Sequence, residues 1–488
     1  MGTAGKTISG VIWAYAAFVG EKLSLFVTTA VLARLLVPEQ FGVIASALLV
    51  LAAVDAFRDF GVKDALIWND DEPELSADTA FWFHVVLGAA LTLGVFAAAP
   101  LIANALDAPL LSDVLKVMAF AFVLNGLGMT HEAVLQKDLI FRKRYVIDLI
   151  AALIKGIVSV ALAFADYGVW ALAYGYLIGI ATRTAGRWLI LPWVPRLRFS
   201  IDRCIALIRY GRHLLAVNLI DIAIDRADQI AIVLILGDVS LGYYYIAARI
   251  PETVIFHFNI VLTRVLFPAY ARVKDDRDQL IGYLFQTARY TGYLVIPIGI
   301  GLAIIADLAI VVIFGDQWAI AAPALSILSL VGIGYSLMWS TGDGAKAIGR
   351  PDILSKLTVI EALYSLPIIF GMVWAFGTIE AAALGLFISL VIYNVLRLTV
   401  MSRALAFRAL DYLAVFRGPT IAATAMAVAI GLLRWLVPFA SMTVELIASI
   451  GLGTIVYCAI LWWQDRSWLL GGLAFFRDGR KTDAREAL

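Results

Sequence analysis

Charge is scarce in this chain: of its 488 residues only 15% are Asp, Glu, Lys or Arg, whereas 62% are hydrophobic and the mean hydropathy is +0.90. A water-soluble chain of that length would split into two or three domains with charged surfaces, so a soluble globular protein is excluded. Cysteine is almost missing; Cys204 and Cys458 have neither an oxidising setting nor an obvious partner, and no disulfide is expected. The 4 histidines are scattered without metal-ligand spacing, and no nucleophile has a base nearby. Gly5-Lys6-Thr7 imitates the tail of a phosphate-binding loop but lacks the upstream glycine and the preceding strand. These absences argue against an enzyme, a cofactor, a bound metal, ATP hydrolysis and a nucleic-acid partner.

Long apolar stretches are abundant. A helix needs about 20 apolar residues to cross a hydrocarbon core of about 30 Å. Fourteen such stretches lie near residues 9–33, 41–61, 79–104, 112–135, 145–166, 168–192, 212–236, 240–268, 281–313, 318–340, 356–376, 379–402, 415–437 and 443–465. The expected fold is an all-α polytopic membrane protein with about 14 transmembrane helices. The first apolar run is too long for a signal peptide and is expected to be retained.

The connections alternate in charge. Even-numbered ones carry Lys137, Arg142, Lys143 and Arg144, then Arg183 and Arg187 through Arg212, then Arg272, Lys274 and Arg277, and later Lys346, Arg350 and Lys356. Odd-numbered ones offer only Arg34 and, beside the thirteenth stretch, Arg434. Positive residues stay on the cytoplasmic side, so both termini are expected there. The first even-numbered segment is acidic, with Asp70, Asp71, Glu72, Glu74 and Asp78, but acidic residues count little in this rule. All connections on the other side are short, which leaves no external loop large enough for a glycosyltransferase or polymerase active site.

The longest basic connection, Pro195 to Arg212, interleaves Phe199, Ile201, Ile205, Leu207 and Ile208 with Arg198, Arg203 and Arg209. It reads as an amphipathic helix on the inner membrane surface, or as a solvated basic linker. A weak repeat at an offset of about 200 residues places Leu36–Gly42 on Leu236–Gly242 and Glu21 on Asp221. The domains expected from this are a six-helix lobe over 1–194, a cytoplasmic amphipathic linker over 195–211, a second six-helix lobe over 212–402, and two extra helices with a cytoplasmic tail over 403–488. A repeat offset by six helices preserves orientation, giving pseudo-two-fold symmetry.

Charges inside helices are costly in hydrocarbon and face a cavity or a partner. They cluster here: Glu21 and Lys22 in the first stretch, Lys155 in the fifth, Asp221, Asp225, Arg226 and Asp228 in the seventh, and Arg249, Glu252, His257 and Arg264 in the eighth. Asp221, Asp225 and Asp228 have the i, i+4, i+7 spacing of one helix face. Pro251 is placed to kink the eighth helix. Glu21/Lys22, Asp225/Arg226 and Arg249/Glu252 also read as neutralising pairs that only join helices; Asp55, Arg58 and Asp59 read as a local salt-bridge cluster. Trp13, Trp82, Tyr243, Tyr244, Tyr245, Trp462 and Trp463 read as interfacial anchors.

Several motifs resemble those of Wzx-like polysaccharide flippases, the lipid-linked oligosaccharide transporters of the multidrug/oligosaccharidyl-lipid/polysaccharide (MOP) superfamily. They are Leu32–Gly42 with Asp59-Phe60-Gly61 and Ala65-Leu66-Ile67, the basic turn Gln136–Arg142, Phe267-Pro268-Ala269 with Phe314–Trp318, and Ala347–Pro351. The resemblance implies two six-helix lobes plus two C-terminal helices that move a polyprenyl-pyrophosphate-linked oligosaccharide from the inner to the outer leaflet by alternating access. It implies a bacterial cytoplasmic (inner) membrane location, an undecaprenyl-pyrophosphate-linked substrate, surrounding membrane lipids, and a polysaccharide polymerase and co-polymerase as partners. By position, Lys22, Lys155, Arg226, Arg249 and Arg264 form the expected cationic cavity, and Glu21, Asp221, Asp225, Glu252 and His257 the expected ion-coupling groups. The rival readings are a small-molecule exporter of the same superfamily and a non-transporting scaffold of a polysaccharide synthesis complex.

Overall fold

The computed structural model describes residues 3–58, 60–68, 72–138, 140–209, 223–256, 270, 273 and 276–485, with backbone alone for 3–18, 68, 141 and 467–485. Among the described residues every regular element is helical. Ten of these helices are long and apolar enough to cross a membrane. Fourteen spans are therefore not all accounted for. Residues 210–222 and 257–269, which carry much of the seventh and eighth expected stretches, lie outside the described set.

In chain order the helices are α1 (Thr3–Leu35), α2 (Pro38–Asp55), α3 (Val62–Trp68), α4 (Pro73–Ala105), α5 (Pro109–Lys137), α6 (Phe141–Phe164), α7 (Val169–Ile190), α8 (201–209), α9 (Ala227–Leu236) and α10 (Asp238–Pro251). They continue with α11 (Arg277–Ile304), α12 (Ala306–Phe314), α13 (Ala322–Ala347), α14 (Pro351–Phe376), α15 (Ile379–Ala404), α16 (Ala409–Ala414), α17 (Arg417–Leu436) and α18 (Met442–Arg485). Proline opens α2, α4, α5 and α14, where its fixed φ suits the first turn and its missing N–H is no loss. Past Pro251 the helix passes into a π-helical turn, Glu252–Phe256, the distortion expected where a proline removes a backbone bond. The stretch 281–313, expected as one helix, is broken at Ile305 (φ −101°, ψ 17°) into α11 and α12.

The chain divides into two compact units: residues 3–245 with 373–379, and residues 246–372 with 380–488. In unit 1, α4 packs on α5, α6 on α7 and on α1, around a core that includes Leu111, Leu115, Met118 and Phe122, all buried. The starts of α2 and α10 cross at Gly42 and Gly242. A Cβ on Gly42 would run into the Asp238 carbonyl, and one on Gly242 would meet the Pro38 carbonyl and the Gly42 backbone. Only glycine permits that approach. These are the two glycines that the 200-residue offset aligns.

In unit 2, α11 packs on α13 and α17, and α17 on α18. Its core holds Tyr412, Phe416, Met426 and Ile430. The long α18 kinks at Asp465 (φ −121°, ψ 21°), and the kink is tied down: Arg289 Nη2 donates to Asp465 Oδ1 at 2.6 Å, and the Tyr293 hydroxyl donates to Oδ2 at 2.8 Å.

Candidate functional site

Three helices of unit 1 each present charged residues at helical spacing toward one space. On α5 the face is Asn125, Met129 and Glu132, at i, i+4 and i+7; on α6 it is Arg144 and Asp148, and on α7 Arg183 and Arg187, both pairs at i and i+4. Glu21 of α1 and Arg58, just past α2, complete the lining of a cavity of about 280 Å³. Arg144 begins α6, while Glu132 and Arg187 lie in the last turns of α5 and α7, so the cavity sits at one end of the unit.

Four arginines therefore face three carboxylates. Glu132 is the hub: its Oε1 lies 2.8 Å from Lys63 Nζ and 2.9 Å from Arg144 Nη2, and its Oε2 lies 2.8 Å from Arg187 Nη2. One negative charge thus answers three positive ones. Arg183 Nε stands 3.0 Å from Asp148 Oδ1, and Arg58 Nη1 lies 2.9 Å from Asp55 Oδ1. The buried Nε–H groups of Arg58, Arg144 and Arg187 meet no acceptor among the described residues. Guanidinium groups offer donors in a planar fork matched to phosphate and carboxylate oxygens. Such a lining holds a multiply charged oxyanion better than a neutral or cationic guest.

The scaffold behind it is rigid. His131, next to Glu132, stacks on Trp188, next to Arg187, with ring centroids 4.3 Å apart. Trp188 Nε1 donates to the Leu127 carbonyl at 2.8 Å, Thr184 Oγ1 to the Leu124 carbonyl at 2.9 Å, and His131 Nε2 lies 3.1 Å from the Trp193 carbonyl. These bonds fix the register of α5 against α7 and so hold Glu132 opposite Arg187.

Of the residues expected from sequence, Glu21 lines this cavity. Lys155 lies further along α6, its Nζ 5.7 Å from the centre of the Tyr176 ring, and is not among the residues that line the cavity. Lys22 is half-buried on α1. Asp225 and Arg226 are exposed, whereas Asp228 is buried and accepts from the Tyr244 hydroxyl at 2.6 Å, because a turn at Arg226 (φ −118°, ψ 9°) interrupts the helix. In unit 2, Arg249 Nη1 and Glu252 Oε2 pair at 2.9 Å. Asp221, His257 and Arg264 lie outside the described residues. Asp55 and Arg58 pair as expected, and Asp59 is likewise outside. Glu132, Arg144, Asp148, Arg183 and Arg187 were not expected as site residues; their shared i, i+4 spacing at helix ends was the available signal.

A family profile described as Polysaccharide biosynthesis protein matches residues 31–323. The chain belongs to the polysaccharide biosynthesis protein family. Within it, the chain is 30% identical over 371 residues to the lipopolysaccharide biosynthesis protein WzxC of Escherichia coli, covering 75% of this chain and 74% of that one. It is 28% identical over 493 residues to the succinoglycan biosynthesis transport protein ExoT of Rhizobium meliloti, covering 99% and 98%. Among solved structures, the lipid II flippase MurJ in an inward closed conformation superposes with a TM-score of 0.79 at 15% identity, covering 94% of this chain and all of that one. This polysaccharide biosynthesis protein is thus a multi-pass, all-helical membrane protein with the two-lobe fold of that flippase. The family match spans α2 to α12 and every residue lining the arginine cavity except Glu21.

Proposed function

We propose that the chain is a flippase that translocates polyprenyl-pyrophosphate-linked oligosaccharide repeat units from the cytoplasmic to the outer leaflet by alternating access, for polysaccharide export. The observation that carries this reading is the arginine cavity of unit 1, in which Glu132 answers three cations. A pyrophosphate cannot cross hydrocarbon unaided, since moving an isolated charge there costs roughly tens of kcal/mol. Arginine forks that are only part-neutralised replace its water with charge-assisted hydrogen bonds. The glycan stays hydrated in the polar interior and the polyprenyl tail stays in lipid, so neither is forced into the wrong medium. The names of ExoT, a transport protein, and MurJ, a flippase, support transport over synthesis.

The basic connections support an orientation with the cavity at the cytoplasmic ends of α5 and α7, on the leaflet where lipid-linked sugars are assembled, and both termini on that side of the inner membrane. Lys22, Lys155, Arg226, Arg249 and Arg264 are the further candidates for contact with the pyrophosphate, and Glu21, Asp221, Asp225, Glu252 and His257 are the candidates for ion coupling. The undecaprenyl carrier and a polymerase with its co-polymerase fit the same reading. The test is the sidedness of polyprenyl-linked oligosaccharides in membrane vesicles from cells depleted of the protein. Accumulation on the cytoplasmic face, reversed by re-expression, is the expected result; normal sidedness with intact polymer export would redirect the reading to small-molecule export.

A further inference from the structure

Unit 2 contains a second cavity, of about 620 Å³ and mixed lining, that the arginine site does not involve. Gln279, Gly282, Tyr283, Phe285, Gln286 and Arg289 of α11 line it, together with Val415. Their spacing is that of one helical face, so α11 turns a polar stripe to this cavity within a helix apolar enough to cross the membrane. Polar side chains at such a place are costly unless they meet a polar partner. At 28 residues α11 is about 42 Å long against a hydrocarbon core of about 30 Å, which brings its first turns to head-group depth.

The electrostatics differ from those of unit 1. Arg289 is matched by Asp465 and by the Tyr293 hydroxyl, to which its Nε donates at 2.7 Å, so the lining carries little net charge. Two carboxamides, each both donor and acceptor, and a tyrosine ring 41% exposed remain to meet a guest. Together with the Tyr283 and Phe285 rings, that set suits hydroxyl groups on an apolar-faced ring or chain. The volume lies within the range of small-molecule sites, about 300–1,000 Å³. Gly282 stands in the middle of the stripe with nothing within 4 Å of the position its Cβ would take.

We propose that this cavity binds the hydroxyl-rich head group of a membrane lipid. Two sources share that chemistry: the glycan of a lipid-linked oligosaccharide, which rests on the function proposed above, and a bulk lipid such as phosphatidylglycerol, which does not. The test is equilibrium binding to the full chain in phosphatidylcholine nanodiscs of two labelled probes, a decyl-pyrophosphate-linked disaccharide and short-chain phosphatidylglycerol. Gly282→Leu puts a bulky apolar side chain into the lining at a position open at Cβ, Gln286→Leu removes a carboxamide, and Gly282→Ala is the control. Both leucine variants are expected to weaken one probe roughly tenfold or more, the loss of one to two hydrogen bonds, with Gly282→Ala near the parent. The probe affected identifies the source. Parent-like binding of both probes by both leucine variants would overturn the site, and does so independently of flipping, because neither variant touches the unit 1 arginines.

Discussion

In unit 1 a single carboxylate, Glu132, answers Lys63, Arg144 and Arg187, whereas in unit 2 Arg289 and Asp465 answer each other and Arg434 is shared between Asp307 and Glu445. Both units bury ion pairs between helices. Among the described residues, the surplus of positive charge facing a cavity lies in the first. Matched pairs in unit 2 join helices: α11 to α18 through Asp465, and α17 to the starts of α12 and α18 through Arg434. A surplus inside a membrane protein does the opposite of joining, since like charges held together need an outside anion to settle them. Geometry alone therefore separates a binding site from a structural clasp.

That contrast can be broken from either side. The largest effect is expected from Glu132→Ala, which leaves three cations without their common carboxylate and should cost about 3–5 kcal/mol in thermal or denaturant unfolding of the purified protein. Next comes the double change Arg144→Gln with Arg183→Gln. It is expected to lower flipping by roughly tenfold or more with membrane insertion retained, and to lower melting by less than Glu132→Ala does, because charge-assisted bonds to the guest are lost and Asp148 loses its partner while the hub pair Arg187–Glu132 remains.

A change in the unit 2 clasp should show the reverse pattern. Asp465→Asn is expected to cost about 1–3 kcal/mol of stability, read as a lower melting temperature, and to leave flipping within a few-fold of the parent. Two glycines complete the series, and the smaller effect is at Gly282. Gly42→Ala forces the α2–α10 crossing apart and should destabilise by about 1–3 kcal/mol, while Gly282→Ala, with open space around it, should stabilise α11 by about 0.5–1 kcal/mol. Equal shifts in melting for the two alanines would contradict the crossing.

Much of the fold was legible because helix length and hydropathy speak directly: the expected stretches 356–376 and 379–402 fall within α14 (Pro351–Phe376) and α15 (Ile379–Ala404). The break at Ile305 was not, since Ile304-Ile305-Ala306 carries neither proline nor glycine. The turn at Arg226 likewise split an acidic face that a continuous helix would have made, leaving Asp225 exposed and Asp228 buried. The site was hidden for a different reason. Arg144, Arg183 and Arg187 lie where the chain was expected to leave the membrane, so they served as markers of orientation, yet all three are turned inward from helix ends. Sequence gives the sign and spacing of such charges; only packing shows whether they face water or each other.

On this reading the unit 1 arginines take the anionic part of a lipid-linked oligosaccharide. That role is tested most directly by the leaflet distribution of that lipid in vesicles from depleted cells re-expressing either the parent chain or Arg144→Gln/Arg183→Gln at equal membrane levels. Cytoplasmic-face accumulation with the double variant, and none with the parent, is the predicted result. Equal restoration of the outer-face pool by both would contradict the account.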